Sequence, residues 1–333
     1  MSTIIKRAKI WAEFERMRIK HPRLSEAHDA YDDLRESKRS TPNSPQRFVA
    51  LFAPTHSGKS MSVRTYIESK VVDAAVSRGL FPADMDRNLI AKRQNIVLHV
   101  TLSAKASPKS LATDILRELG DARADKGTAS SLLARSYDLM AAEGTELLIV
   151  DEIQHLSGMR GRLVGGSSRG LMDDSTSVTD TLKTMMIRGL VPMVFIGVEE
   201  ARHFLFNDAQ LAGRCLLELN YNCLDWADLR QREIFRDYCG RLGLKLKQHK
   251  LFKEAANFLI PDILACLHEI SKGRIGVVSR LVQHAAALAA KKNADTIQRE
   301  HLETATDTWA IPNDFIDYNP FQAGVRRVEK KRA

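Results

Sequence analysis

The sequence is poor in cysteine and has no long hydrophobic run. Its four cysteines (Cys215, Cys223, Cys239 and Cys266) form no C-x-x-C pair and show no zinc-type spacing with histidine, so we expect reduced core residues. No apolar stretch approaches the length needed to cross a membrane, and the first residues lack the hydrophobic segment of a signal peptide. These absences predict a soluble, intracellular protein that has no membrane partner.

Acidic residues are outnumbered by basic ones. The chain has 50 Lys and Arg residues against 41 Asp and Glu residues, which gives a formal net charge of +9. This positive excess favours a polyanionic partner, although it bears on association and not on fold. The length of 333 residues allows two domains, or one large domain with appendages, and the hydrophobic fraction of 44% is ordinary for a globular protein.

A phosphate-binding motif lies near residue 50. An apolar run at residues 48–52 predicts a buried strand, a tight loop follows, and a helical pattern begins at Gly58-Lys59-Ser60. Strand, loop, Gly-Lys-Ser and helix is the order of a P-loop; the alternative is a Gly-Lys-Ser that only starts a helix. The leading glycine of the motif is missing. Ala53 stands in its place, and its Cβ is tolerated only if φ is negative.

The residue types in this motif suit the binding of ATP with Mg²⁺. Gly58 lets the backbone approach closely, Lys59 brings a positive charge to the terminal phosphates, and Ser60 offers a hydroxyl to the metal ion. Backbone N–H groups of the loop and of the helix start would point at the phosphates. The remaining residues of this predicted ATP site are Thr55, His56, Ser57 and Met61.

A second motif is an apolar run that ends in two acids, at residues 146–152. It predicts a central parallel strand with Asp151 and Glu152 at its carboxyl end, the edge where open α/β sheets bind ligands. There Asp151 would hold Mg²⁺, directly or through water, and Glu152 would orient or polarise the attacking water. The alternative is a strand that merely ends in solvated acids, but the spacing from the P-loop is that of a nucleotide-binding domain.

Three more apolar runs predict strands, at residues 95–102, 191–197 and 215–219. Helical patterns separate the strands, while a basic stretch at residues 87–94 is expected to be irregular. This order is typical of a doubly wound parallel sheet flanked by helices, an α/β fold. From residue 224 onward the pattern is entirely helical. The candidate helices there are residues 226–242, 252–260, 263–271, 276–292 and 299–309.

These patterns divide the chain into four segments. Residues 1–46 form a helical extension, whose first helix should end at Pro22 and whose second should cover residues 24–34. Its basic helices are either a solvated surface or a nucleic-acid arm. The other segments are a nucleotide-binding α/β domain (47–223), a helical lid (224–310) and a flexible basic tail or docking peptide (311–333).

Arginines outside the two motifs are further candidates for contacts with nucleotide or DNA. Arg214 directly precedes the last strand, where it would act as an arginine finger on a neighbouring subunit's nucleotide or form a local salt bridge. Arg274, or alternatively Arg280, would reach a phosphate from the helical lid. The Gly- and Arg-rich residues 157–170 are either a DNA contact or an ordinary surface loop.

Together these motifs resemble the AAA+ ATPases of the TniB/TnsC group over residues 5–310. The resemblance rests on Ala53-x-x-x-x-Gly58-Lys59-Ser60, residues 150–156, residues 194–201, Arg214, His21-Pro22 and Arg47. It implies an AAA+ P-loop domain, with a parallel sheet flanked by helices, and a C-terminal all-helical lid. The sequence departs from the family at Ala53 and at Val198, where a Thr or Asn sensor of the γ-phosphate is expected.

The resemblance also implies an ATP-dependent regulator of DNA transposition, associated with DNA in the bacterial cytoplasm. Such proteins assemble with ATP as rings or helical filaments on double-stranded DNA. They connect a TniQ-like target selector to the transposase, and ATP hydrolysis dismantles the assembly. The family contacts the DNA backbone from loops inside the oligomer, and the nearest candidates here are Lys105, Lys109, Arg160 and Arg162.

Two other functions fit the same motifs. One is a helicase loader or remodelling ATPase that acts on single-stranded DNA or on a protein. The other is an interaction module that binds nucleotide without turnover. Salt-sensitive, sequence-tolerant binding of duplex DNA would argue against the first alternative, and phosphate release in the presence of DNA would argue against the second.

Overall fold

The computed structural model describes residues 3–104, 106–156 and 173–326. The chain forms two compact units. The α/β unit comprises residues 23–55 and 59–221, and the helical unit comprises the chain up to residue 22, residues 56–58 and the chain from residue 222. Among the helices of the described stretches, none combines the length and the apolar character needed to cross a bilayer.

Five parallel strands form the sheet of the α/β unit, as predicted. They are β1 (Phe48–Phe52), β2 (Val97–Thr101), β3 (Leu147–Asp151), β4 (Met193–Gly197) and β5 (Cys215–Glu218). Their order in the sheet is β2-β3-β4-β1-β5. Because β4 lies between β1 and β3, the P-loop strand and the acidic strand are separated by one strand, and both end at the same edge.

The three central strands, β3, β4 and β1, are apolar because both faces of the sheet are covered there. Every residue of β1, β3 and β4 is buried. Alternate side chains enter two different cores, with Phe48, Ala50 and Phe52 in one and Val49 and Leu51 in the other. This explains why the strands are continuous hydrophobic runs rather than alternating ones.

Fifteen α-helices occur in the described residues. In chain order they are α1 (Thr3–Arg16), α2 (Pro22–Ser40), α3 (Lys59–Tyr66), α4 (Val72–Ser77), α5 (Arg87–Arg93), α6 (Pro108–Glu118), α7 (Ala129–Ala142), α8 (Asp173–Ile187), α9 (His203–Phe206), α10 (Ala209–Ala212), α11 (Leu229–Gln248), α12 (Pro261–Ser271), α13 (Ile275–Lys291), α14 (Arg299–Ala305) and α15 (Pro320–Ala323). A π-helical turn, Ile67–Val71, joins α3 to α4, and another, Thr306–Ala310, continues α14.

The helical unit has its own hydrophobic core. Helix α13 supplies its centre, because one face of that helix is buried along its length. Helix α1 packs against α13 through the buried side chain of Ile10. The predicted helical character of this part of the chain is therefore correct, and the first helix of the chain belongs to the same core.

The two N-terminal helices belong to different units, although we expected one extension over residues 1–46. The unit boundary falls between Pro22 and Arg23. Pro22 starts α2 rather than ending α1, since proline suits the first turn of a helix. Helix α2 is longer than the predicted 24–34 and buries Tyr31 and Leu34 in the core of the α/β unit.

Two local predictions of secondary structure are wrong. The basic stretch at 87–94 is not irregular but forms α5, which Asp86 caps by accepting a hydrogen bond from the N–H of Leu89 at 3.0 Å. Residues 252–260 are not helical. Asn257 accepts a bond from the N–H of Leu259 at 3.1 Å, and the following proline disfavours a helix before it.

The segment 311–333 is not a flexible tail as far as residue 326. Ile316 and Phe321 are buried in the core of the helical unit, and α15 lies within this segment. The Arg299 side chain donates a hydrogen bond to the carbonyl of Phe321 at 2.5 Å. The basic residues at 327–333 lie outside the described part of the chain.

Candidate active site

The P-loop follows β1 directly, and its departure from the motif costs no backbone strain. Ala53 is buried, its φ is not in the left-handed region, and its N–H donates to the carbonyl of Gly197 at 3.2 Å. Gly58 has a φ of 98° and His56 one of 64°. The position that requires glycine is therefore Gly58, while Ala53 lies where a methyl group is accommodated.

Lys59 is half-buried and hydrogen-bonded to its own loop. Its ammonium donates to the carbonyls of Ala53 and Pro54 at 2.6 and 2.9 Å. Burial lowers the pKa of Lys59, and the charges of Asp151 and Glu152 oppose that shift. The ammonium thus occupies a cradle of neutral acceptors, and the anionic oxygens of a triphosphate would be stronger acceptors for the same donor.

Ser60 and Asp151 converge on one point. The Ser60 hydroxyl donates to the Asp151 carboxylate at 3.3 Å, although the residues are 91 positions apart. Asp151 is 4% exposed. Burial alone would raise the pKa of Asp151, but hydrogen bonds from His99, the Glu152 N–H and Ser60, together with the charge of His99, outweigh it and lower the pKa. An ionised carboxylate beside a hydroxyl is the oxygen donor set that Mg²⁺ prefers.

A magnesium site here would be completed by phosphate and water, because the protein supplies few ligands. Among residues 3–104, 106–156 and 173–326, no group of three or more His, Cys, Asp or Glu side chains is arranged to hold a metal ion. Ser60 and Asp151 alone fit the pattern in which Mg²⁺ takes one or two protein ligands and several from substrate.

Glu152 has an unusual backbone conformation directly after the strand. Its φ is 59°, in the left-handed region that non-glycine residues adopt rarely and that clusters at functional sites. Its N–H donates to the Asp151 carboxylate at 2.8 Å. The carboxyl end of β3 therefore carries two adjacent acids, and the backbone of the second holds the carboxylate of the first.

Two polar residues at this edge were not identified from the sequence. His99, on β2, lies 3.3 Å from the Asp151 carboxylate. The amide of Gln154 donates to Glu152 and accepts a bond from the N–H of Val198 at 3.4 Å. A histidine inside an otherwise apolar strand was the available signal for the first. For Gln154 the signal was its position two residues after Glu152, whereas its bond with Val198 spans 44 positions and has no local pattern.

The tip of the P-loop lies in the helical unit. The carbonyl of His56 accepts a hydrogen bond from the N–H of Gly276 at 2.9 Å, and its ring packs edge-on against Phe315. A Cβ at Gly276 would come within 2.5 Å of the His56 oxygen, so glycine is required there. The buried hydroxyl of Ser57 has no hydrogen-bond partner among the described residues. Such an orphaned donor suits a phosphate-binding loop.

The two candidate lid arginines have different partners in the helical unit. Arg274 donates to the carbonyl of Ser271 at 3.1 Å and lies over the ring of Phe315. Arg280 bonds Gln283 at 3.0 Å and faces Glu15 at 3.6 Å. Within the described residues, the guanidinium of Arg280 faces a carboxylate and that of Arg274 does not, so Arg274 is the better candidate for a phosphate contact.

Arg214 lies before β5, as predicted. Its carbonyl accepts a bond from the N–H of Phe48 at 3.1 Å, which fixes the backbone. Within the described part of the chain, its buried Nε has no hydrogen-bond partner. The alternative of a local salt bridge therefore finds no support among these residues.

The candidate DNA contacts are only partly described. Lys109 is exposed in the first turn of α6, which Ser107 caps. A cation at this end opposes the helix dipole, so the local structure gives no reason for its presence. Lys105, Arg160 and Arg162 lie outside the described residues. Of the remaining predicted ATP-site residues, Thr55 and Met61 are exposed.

Solved structures with a similar fold include two proteins from Aeropyrum pernix and one from Pyrobaculum aerophilum. The Aeropyrum pernix ORC1 protein, solved in complex with DNA, matches with a TM-score of 0.55 and 17% identity over 87% of this chain and 66% of that chain. The Aeropyrum pernix ORC2 protein, in ADPNP–ADP complexes, matches with a TM-score of 0.53 and 12% identity over 83% of this chain and 66% of that chain. Cdc6p from Pyrobaculum aerophilum matches with a TM-score of 0.53 and 13% identity over 87% of this chain and 68% of that chain. The chain spans just under two thirds of the length of the two Aeropyrum proteins.

The TM-scores show a shared fold and no more, because the identities are only 12–17%. None of the curated proteins compared with this chain matches it significantly. The family model described as "AAA domain" matches residues 41–205, which include the P-loop, Asp151 and Glu152. Residues 41–205 are therefore similar to an AAA domain.

Proposed function

We propose that this protein is an ATPase whose nucleotide state controls its assembly on double-stranded DNA. The observation that carries the proposal is the convergence of Ser60 on Asp151, with Glu152 next to it at the same sheet edge. That arrangement suits hydrolysis as well as binding, because it provides ligands for a metal ion and a separate carboxylate for water.

Each residue has a distinct role in this proposal. Lys59 leaves the carbonyls of its loop and contacts the terminal phosphates, while the N–H groups of residues 55–61 hold the phosphate oxygens. Ser60 and Asp151 hold Mg²⁺, whose charge offsets that of the phosphates. Glu152 orients the attacking water, and Gln154 fixes the carboxylate of Glu152.

The site is completed by a second copy of the chain. The Nε of Arg214 is buried without a hydrogen-bond partner in the described residues, so the terminal nitrogens of the guanidinium are the atoms that would meet an acceptor from outside the subunit. In a ring or helical filament, it would contact the neighbour's γ-phosphate as an arginine finger. Arg274 contacts the nucleotide from the helical lid of its own subunit.

Duplex DNA is the proposed polymer. The net charge of +9 favours a polyanion, and the Aeropyrum ORC1 protein of similar fold was solved with DNA. Lys109 is the described candidate for a backbone contact, and Lys105, Arg160 and Arg162 are candidates in the part of the chain that is not described.

Two biological roles remain for such an assembly. The fold shared with the ORC and Cdc6 proteins favours a helicase-loader-like role on DNA. The sequence motifs favour a transposition regulator of the TniB/TnsC type, which would link a TniQ-like protein to a transposase. Binding of a TniQ-like protein or a transposase to the DNA-bound assembly supports the second role, and a preference for single-stranded DNA or a helicase supports the first.

The experiment is electron microscopy of the protein on duplex DNA, with a slowly hydrolysed ATP analogue, beside a co-sedimentation assay. The Lys59→Ala variant should lose nucleotide-dependent assembly, because the terminal phosphates lose their cation. Lys126→Ala removes an exposed lysine of the same unit and should assemble normally. Assembly of the Lys59→Ala variant at the wild-type ATP concentration would contradict the proposal.

A further inference from the structure

The helical unit contains a cavity of about 1190 Å³ that the ATPase function does not use. Its walls are residues 223–227, the second half of α12, and two stretches near the end of the described chain, 314–318 and 325–326. No residue assigned above to ATP, Mg²⁺ or DNA is among the lining residues. The volume exceeds the usual 300–1,000 Å³ of a small-molecule site, so several residues of a peptide would fit.

The floor of the cavity is apolar and aromatic. Trp226 and Tyr318 are half-buried, Ile316 is buried, and Ala265 leaves space on α12. The Trp226 ring packs against His268, with 4.9 Å between ring centroids. A tryptophan and a tyrosine held in this way are the side chains that most often dominate binding energy at protein interfaces.

The rim of the cavity is acidic, although the chain as a whole is basic. Four carboxylates face two cations: Asp225, Glu269, Asp314 and Asp317 against Lys272 and Arg326. Apart from Glu269, which is half-buried, these charged residues are exposed. A surface of this sign on a chain of net charge +9 is suited to a basic partner and unsuited to nucleic acid.

One arginine of the chain already shows how a basic side chain binds here. The guanidinium of Arg326 lies 3.7 Å from the centroid of the Tyr318 ring and 3.3 Å from the Asp317 carboxylate. The Tyr318 hydroxyl in turn donates to Glu269 at 2.9 Å. The cation is thus held by a ring face and a carboxylate together.

Asp314 supplies a further carboxylate on the same rim. Among the described ion pairs and side-chain hydrogen bonds, none involves Asp314, which has a φ of 57°. Asp225 uses one carboxylate oxygen to accept a bond from the N–H of Ala227 at 2.9 Å. These two acids retain acceptor capacity for a partner, whereas Glu269 and Asp317 are already hydrogen-bonded.

We propose that this cavity binds a peptide segment of a partner protein in which an apolar anchor side chain is flanked by Lys or Arg. The anchor enters between Trp226 and Ala265, and the flanking cations contact Asp314 and Asp225. Charge complementarity selects this occupant over an acidic segment or a nucleic acid.

The test is a titration of the full chain with a fluorescein-labelled peptide, Lys-Arg-Leu-Phe-Leu-Arg-Lys, followed by anisotropy and by tryptophan emission. Saturable one-to-one binding that weakens with salt is expected. A peptide with Glu in place of Lys and Arg, and one with Ser in place of Leu and Phe, should not bind. Equal binding of the Glu peptide would exclude charge selection and overturn the proposal.

Variants locate the binding to the cavity. Ala265→Trp fills the cavity and should lower the affinity for the peptide by roughly tenfold or more. Asp314→Asn keeps a residue that tolerates the left-handed backbone and should weaken the peptide by about twofold to fivefold. Asp237→Asn, an exposed acid of α11 that does not line the cavity, should have no effect.

Folding of each variant is checked by thermal unfolding and by ATP hydrolysis, which should match the wild type. If Ala265→Trp fails to fold, the difference in peptide affinity between Asp314→Asn and Asp237→Asn still tests the assignment. Unchanged peptide affinity in a folded Ala265→Trp protein, or equal losses in the two acid variants, overturns the assignment. Binding of a peptide in which Ser replaces Lys and Arg with undiminished affinity would show a site for uncharged apolar ligands instead.

Discussion

The strand β3 has a buried carboxylate at each end, and the two carboxylates are held differently. Glu146, before the strand, is bonded by three arginines: Arg35 at 3.0 Å, Arg39 at 2.9 Å and Arg78 at 2.6 Å. Asp151, at the other end, is bonded by a serine hydroxyl, a backbone N–H and an imidazole. Both residues are less than 9% exposed.

The difference shows which end of the strand can do chemistry. Guanidinium groups already give Glu146 permanent charge compensation, so a metal ion would gain nothing there. The donors at Asp151 include a neutral hydroxyl, which can turn to bind a metal ion together with the carboxylate. We therefore propose a structural role for the carboxylate at the amino end of the strand and a catalytic role for the acids at its carboxyl end.

The largest expected effect concerns the catalytic end. Glu152→Gln removes the carboxylate that orients water and keeps the shape and the hydrogen bond to Gln154, so hydrolysis should fall by about 10²- to 10⁴-fold. ATP binding and thermal stability should stay close to wild type, and assemblies on DNA should persist. Phosphate release, a nucleotide titration and thermal unfolding measure the three quantities.

Asp138→Asn is the matched control, because Asp138 is an exposed acid on α7 of the same unit. Its hydrolysis rate should stay within about twofold of wild type. Disassembly of the Glu152→Gln variant at the normal rate would contradict the role given to Glu152.

The next effect concerns the opposite end and should be one of stability. Glu146→Ala removes the closer of the two carboxylates of the buried Arg35 and leaves, of the described residues, only Asp32, at 3.5 Å, so the free energy of unfolding should fall by up to about 3–5 kcal/mol. Hydrolysis per folded molecule should be unchanged. Glu36→Ala removes another carboxylate from Arg39, but Glu36 is 65% exposed, so a loss of about 0–1 kcal/mol is expected. Equal losses of unfolding free energy in the two variants, measured by denaturant unfolding, would contradict the structural role given to Glu146.

The catalytic end was more predictable from the sequence than the structural end. Gly58-Lys59-Ser60 and Asp151-Glu152 lie in short motifs that follow apolar runs, so the position of each along the chain already gives its place at the sheet edge. The pairing of Arg35 with Glu146 spans 111 positions and has no local pattern. Only the packing of α2 on the sheet brings them together.

The failed predictions have a similar cause. The basic composition of residues 87–94 suggested an irregular stretch, yet one capping aspartate and the burial of Ile90 are enough for a helix. The segment 311–326 has prolines and scattered aromatics, and tertiary packing of Ile316 and Phe321 orders it. His99 was missed because its role depends on the alignment of β2 with β3, which places Thr101 opposite Asp151.

The smallest expected effect is on the pH dependence of stability, to which the carboxylate of Glu146 contributes separately from that of Asp151. Burial acts to raise the pKa of Glu146, but the hydrogen bond and charge of Arg78 and the charges of Arg35 and Arg39 outweigh it and hold the pKa below its ordinary value of 4.5. The unfolded chain therefore binds more protons than the folded one in acid, and this contribution to stability is present above the ordinary pKa. It is lost as the pH falls through the lower pKa of the folded protein.

Glu146→Gln should remove this pH dependence and leave that of Asp151, whose pKa is also lowered and which both proteins retain. The stability difference between wild type and variant should thus be constant from pH 7 to about pH 5 and shrink below it. Denaturant unfolding at a series of pH values measures the difference. A difference that stays constant or grows in acid would show that Glu146 is not an ionised partner of the three arginines, and the contrast between the two ends of β3 would then rest on Asp151 alone.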